Sequence, residues 1–180
     1  RTEGGQTCRG GEPVSAPTFG ALAVRTVEKP WGRSQLPAPF AAPFGKRIGE
    51  IWFEPTEAVF SLLVKYIFTS EKLSVQVHPD DAEAKALGEW DRGKEECWLV
   101  IDAEPGATLG IGFKAPIGAE AMRAAALDGS IADLLEWHPV QAGDFFYIPA
   151  GTVHAIGAGV SLIEIQQNSD VTYRLYDYGR

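Results

Sequence analysis

The chain has 180 residues, 45% of them hydrophobic, which is enough for one well-buried core and too little for two full domains. Its 24 Asp and Glu against 16 Lys and Arg give a net charge of −8, which excludes nucleic acid as a partner held by bulk charge but leaves room for a small anion in a local basic pocket. Cys8 and Cys97 stand in no paired spacing, so a disulfide framework is excluded; no apolar run approaches the roughly 18 to 20 residues of a membrane span, and the expected setting is cytoplasmic, off the membrane.

In chain order, residues 1–19 are rich in Gly, Thr, Ser and Pro and read as a flexible leader to a single domain over 20–180. "EKPWGRSQLPAPFAAPFGKR" follows, where repeated prolines break any helix; it reads as an ordered loop with Trp31 and two Phe available to pack. From residue 48 come short runs rich in β-branched and aromatic residues, "IGEIWFEP", "SLLVKYIFTS", "KLSVQVHP", "EECWLVID", "ATLGIGF", "DFFYIPAGTVHAIG", "VSLIEIQQ" and "VTYRLYDYG", punctuated by Gly, Pro and Asp. Two helical inserts interrupt them. "DDAEAKALGEWD" makes one, near 80–90; "IGAEAMRAAALDGSIADLLEW" makes the other, near 117–137, as two short helices joined at Asp128-Gly129. The expected fold is all-β with small helical insertions, a barrel or jelly roll that manages exposed strand edges.

Alternation along a strand then sorts the polar residues. In "LSVQVHPDDA", Ser74, Gln76 and His78 share one face while Leu73, Val75 and Val77 share the other. In "GKEECW", Lys94, Glu96 and Trp98 fall on one face, with Glu95 and Cys97 opposite. Lys65 shares a face with Leu63 and Ile67, and Glu164 with Leu162 and Gln166; a charge so placed needs a partner or a ligand. The two can pair with each other, snorkel outward, or meet a ligand. His138 belongs to no motif and is assigned to the surface.

The punctuation of "GDFFYIPAGTVHAIGAG" around His154, with the upstream Gln76-x-His78 pair, resembles the two-motif signature of cupin barrels. More specifically, "LSVQVHPDD", "GKEECW", "GDFFYIPAGTVHAIG" and "IEIQQNSDVTYRLYDYGR", joined by "KPWG" and "GEIWFE", resemble the type I mannose-6-phosphate isomerases from about Lys29 to Arg180. Larger members carry a helical domain and a further β-domain absent here, so the resemblance is to a short form.

That resemblance implies one divalent metal ion, zinc being favoured, held by Gln76, His78, Glu96 and His154, with Glu95 as the competing carboxylate. It implies interconversion of mannose 6-phosphate and fructose 6-phosphate through a cis-enediol. Arg174 matches the catalytic arginine, and Lys94, Glu164 and Asp170 are candidates for proton transfer, the base being left open. Lys65 and Ser74, with Arg180, would hold the phosphate, while Glu50 and Trp31 border the cleft. The expected partner is a small hexose 6-phosphate. Two other readings stand beside this one: a non-catalytic cupin that binds sugar phosphates, and another metal-cupin enzyme such as an iron oxygenase, against which the glutamine and the inward lysine argue.

Overall fold

In a computed structural model of the chain, residues 20–54, 61–88 and 91–180 are described; the leader expected over 1–19 lies outside them. The first sheet has the order β1 (Ala23–Arg33), β2 (Ile48–Glu54), β3 (Leu62–Phe68), β10 (Val160–Gln167), β5 (Glu96–Ala103), β8 (Phe145–Ile148). The second has the order β11 (Tyr173–Tyr176), β4 (Val75–Val77), β9 (His154–Ile156), β6 (Thr108–Phe113), β7 (Leu135–Pro139). The recorded strand pairs are antiparallel, and among the described residues the two sheets are separate, a jelly-roll arrangement with no closed barrel.

The core lies between the sheets. Ile67, Trp98, Val100, Ile148 and Leu162 from the first pack with Leu109 and Ile156 from the second, all nearly or fully buried. Each large side chain so buried stabilises the fold by about 1.5–3 kcal/mol, which outweighs weak pairing in strands as short as β4 and β9. Helices α2 (Ala119–Asp128) and α3 (Ile131–Leu134) bring Ala125, Ile131 and Ala132 against Val75, Leu135 and Ala155, building a second apolar cluster on that sheet. Helix α1 (Asp81–Leu87) starts at Asp80, which accepts from the Glu83 amide while Glu83 returns a bond to the Asp80 amide; Gly88 closes it in the left-handed conformation. No described helix is long and apolar enough to cross a membrane.

Three expectations are corrected. "KPWGR" is strand, not loop: β1 runs through Pro30 because it is an edge strand whose register shifts between Glu28 and Arg33, where a missing N–H breaks no ladder. Gly32 is required there, since a Cβ would overlap the backbone of Ile48 and Gly49. "IADLLEW" does not stay helical: α3 ends at Leu134, and Leu135 turns extended and buries fully opposite Phe113 on β6. His138 follows into the same strand opposite Leu109 and is half-buried, not a surface residue.

Candidate metal centre and adjoining cleft

Register across the first sheet sets five side chains in one row. Arg25 pairs with Trp52, Trp52 with Lys65, Lys65 with Glu164, and Glu164 with Trp98. Charged and aromatic groups thus stand side by side, with Arg25 4.5 Å and Lys65 5.0 Å from the centre of the Trp52 ring. Lys65 Nζ lies 2.8 Å from Glu164 Oε1, so of the alternatives open for these two residues the geometry takes the mutual pair. Burial alone would lower the Lys65 ammonium, but the carboxylates of Glu164 and Glu50 outweigh it and raise its pKa. Burial, with the charge of Glu96, pushes the Glu164 carboxyl up as well, against the pull of Lys65.

The second sheet contributes a facing row, Arg174 beside Gln76 and Gln76 beside His154, with His78 just past the end of β4. Between the sheets, ligand atoms of His78, Glu96 and His154 all lie within 4.8 Å of one another, and all three residues are buried. His78 Nδ1 is 3.0 Å from the carbonyl of Val171, and His154 Nδ1 is 2.8 Å from that of Thr152. A carbonyl only accepts, so each Nδ1 carries a proton and each Nε2 is the ring nitrogen left to turn inward.

Those inward nitrogens meet a carboxylate. His78 Nε2 is 3.2 Å and His154 Nε2 3.8 Å from oxygens of Glu96, and neither His78 Nε2 nor Glu96 Oε1 makes a well-directed hydrogen bond. Burial lowers the His154 pKa to about 4, keeping the ring neutral. Burial works the other way on Glu96, but the Lys94 ammonium, with Nζ at 3.0 Å, holds its carboxyl well below the usual range. Two imidazoles and an ionised carboxylate, with orphaned atoms turned toward each other, are a donor set that fits a divalent cation. Gln76 sits at its edge: Nε2 lies 3.3 Å from His154 Nε2, and Oε1 accepts from Ser74 at 3.3 Å.

A cleft of about 630 Å³ adjoins this cluster and is lined by Trp31, Glu50, Lys65, Ser74, Gln76, Lys94, Glu164, Asp170, Arg174 and Arg180. The residues expected to act on or hold the substrate, Trp31, Glu50, Lys65, Ser74, Lys94, Glu164, Asp170, Arg174 and Arg180, thus line one cavity. Glu95 is exposed, away from the buried Glu96, which removes it from the donor set. Arg174 is exposed and has no ion pair among the described residues, whereas Arg180 is tied to Asp177 at 2.9 Å and Glu71 at 3.3 Å. Sequence reasoning missed Arg25, Lys29, Trp52, Thr172 and Asp177 in the lining. Trp52 was findable, being two residues from Glu50 on the same face of β2; Arg25 and Lys29 were hidden by reading β1 as loop.

No protein-family model matches the chain. It is 47% identical over 131 residues, 73% of its length and 41% of the relative's, to mannose-6-phosphate isomerase of Streptococcus mutans. It is 46% identical over 121 residues, 67% of its length and 38% of the relative's, to a Bacillus subtilis mannose-6-phosphate isomerase. Among solved structures, the mannose 6-phosphate isomerase from Bacillus subtilis superposes with a TM-score of 0.78 and 30% identity, covering 89% of this chain and 62% of that one. The chain thus spans less than half the length of these two curated relatives.

Proposed function

We propose that this chain, similar over part of their length to mannose-6-phosphate isomerases in sequence and fold, carries out the same reaction: interconversion of mannose 6-phosphate and fructose 6-phosphate through a cis-enediol. The observation that carries this reading is the buried His78, Glu96 and His154 cluster opening beside a cleft rich in cations. His78 and His154 through Nε2, Glu96 through its carboxylate and Gln76 through its amide oxygen, after rotation of the amide, would hold one divalent ion, with zinc favoured by this nitrogen and oxygen set. Such an ion supplies Lewis-acid polarisation of sugar oxygens.

The chain's own groups do the rest. Arg174, free of an ion pair among the described residues, offers a permanent charge and a planar fork of donors to a developing enediolate oxygen. Glu164, whose carboxyl burial pushes up, Lys94 and Asp170 are the groups in the cleft that can move a proton between C1 and C2. Ser74, Lys65 and Arg180 are the proposed phosphate contacts, and Trp31 and Glu50 the cleft border. Because Lys65 already pairs with Glu164, phosphate binding there would draw on that pair and couple anchoring to proton transfer. Residues 20–180 are proposed as one catalytic domain, acting in the cytoplasm where hexose phosphates are confined by their charge.

Metal analysis of the purified chain together with a mannose 6-phosphate turnover assay tests this. Zinc with isomerisation supports it. Metal and sugar-phosphate binding without turnover would reduce the chain to a binding protein, and redox-active iron without isomerisation would move it to another class of metal enzyme.

A further inference from the structure

Trp98 is the largest fully buried side chain among the described residues, and packing alone would explain an aromatic at its place in the core. Its indole nitrogen does something packing does not require. Trp98 Nε1 donates to Glu96 Oε2 at 3.0 Å and to Glu164 Oε2 at 3.1 Å, one N–H shared between two carboxylates. The other oxygen of each carboxylate is thereby turned elsewhere: Glu96 Oε1 to His78 Nε2 at 3.2 Å and Lys94 Nζ at 3.0 Å, Glu164 Oε1 to Lys65 Nζ at 2.8 Å. The edge of the indole also meets the His154 ring, with centroids 5.4 Å apart at 74°.

The geometry points to Trp98 as a positioning residue for the metal centre, acting through Glu96, an inference that rests on the metal reading above. The side chain of Glu96 has a terminal torsion that is broad and roughly two-fold, so nothing intrinsic turns Oε1 to His78 at 3.2 Å and Oε2 toward His154 at 3.8 Å. A donor fixed by a rigid, fully buried ring removes that freedom. Lys94 and His78 approach Oε1 of Glu96, while Trp98 donates to Oε2, and the same N–H also holds one oxygen of Glu164, a second acid in the same low-dielectric space. Partners that orient a ligating carboxylate in this way typically change metal affinity 10- to 100-fold when lost.

Trp98→Phe keeps most of the ring and deletes the N–H. Zn²⁺ affinity would be measured in the full chain by competition with a chromophoric chelator, and coordination geometry from the visible absorption of the Co²⁺-loaded protein. About 10-fold or greater weakening of Zn²⁺ binding, with an altered Co²⁺ spectrum, is expected. Val100→Ala, two residues along the same inward face and 1% exposed, should lower stability while leaving Zn²⁺ affinity and the Co²⁺ spectrum unchanged. If Trp98→Phe does not fold, benzothienylalanine at position 98, with sulfur in place of the N–H, carries the same test in the same shape. Unchanged Zn²⁺ affinity and an unchanged Co²⁺ spectrum in either variant, beside a parent that binds Zn²⁺, would overturn the positioning role alone. A parent that binds neither metal would overturn the metal reading and this inference with it.

Discussion

Lys65 Nζ and Glu164 Oε1 lie 2.8 Å apart on adjacent strands, with side chains 9% and 4% exposed. A pair this buried contributes little net stability while intact, because desolvation offsets the attraction, but removing one partner strands the other charge. Lys65→Met is therefore expected to destabilise the fold by about 3–5 kcal/mol, and adding Glu164→Gln to recover most of the loss. Urea denaturation of the two single variants and the double variant checks this. A cost for Lys65→Met within the scatter of surface substitutions would show that Glu164 is not left as a stranded charge, being protonated or held by another partner.

Chelation should destabilise a chain that carries bound metal. With free metal at about 100 times its dissociation constant the stabilisation is about 2.7 kcal/mol, or roughly 5 to 10 °C in Tm for a chain of this size. Exhaustive chelation should remove that shift together with turnover, and His78→Ala should be insensitive to added Zn²⁺, since the ring that Val171 orients is one of the three buried donors. Full activity after exhaustive chelation would end the metal-dependent reading.

Arg174 differs from the other cations of the cleft in having no ion-pair partner among the described residues. A charge held ready for the enediolate interacts more strongly in the transition state than in the ground state, so Arg174→Ala should lower kcat and kcat/KM together, by about 100-fold or more, with little change in KM. Arg174→Lys should rescue only part of this, the fork of donors being lost. Steady-state kinetics decide it: a raised KM at normal kcat would make Arg174 a binding residue instead.

Gly93 lies against the turn between β4 and α1, where a Cβ would overlap the Pro79 carbonyl oxygen and the Asp80 backbone. Its N–H donates to Asp81 Oδ1 at 2.8 Å, and the next amide, of Lys94, donates to Pro79 O at 3.0 Å. Gly93→Ala is expected to cost about 1–3 kcal/mol and, by displacing Lys94 and Glu96 just beyond it, to weaken Zn²⁺ binding as well. Gly20→Ala, which meets open space, is the matched control and should be near neutral in both thermal melts and metal titration.

Much of this architecture is local, and local patterns are legible in a sequence. Period-two alternation put Ser74, Gln76 and His78 on one face and separated Glu96 from Glu95, and the composition of "DDAEAKALGEWD" placed a short helix near 80–90. Residue chemistry and motif resemblance picked out groups that line one cleft, because those groups sit in strands short enough for alternation to hold. What alternation does not say is what a face will meet. Glu96 comes from one sheet, Gln76 and His154 from the other, and the contact between Gln76 and His154 joins residues 78 apart in the chain. The choice between an outward Lys65 and one paired with Glu164 was likewise set by register between β3 and β10, and the run of β1 through Pro30 by its place at a sheet edge. Register and sheet stacking are chosen by the burial of Trp98, Leu109, Ile156 and their neighbours as a set, a free energy that belongs to no single stretch of the chain.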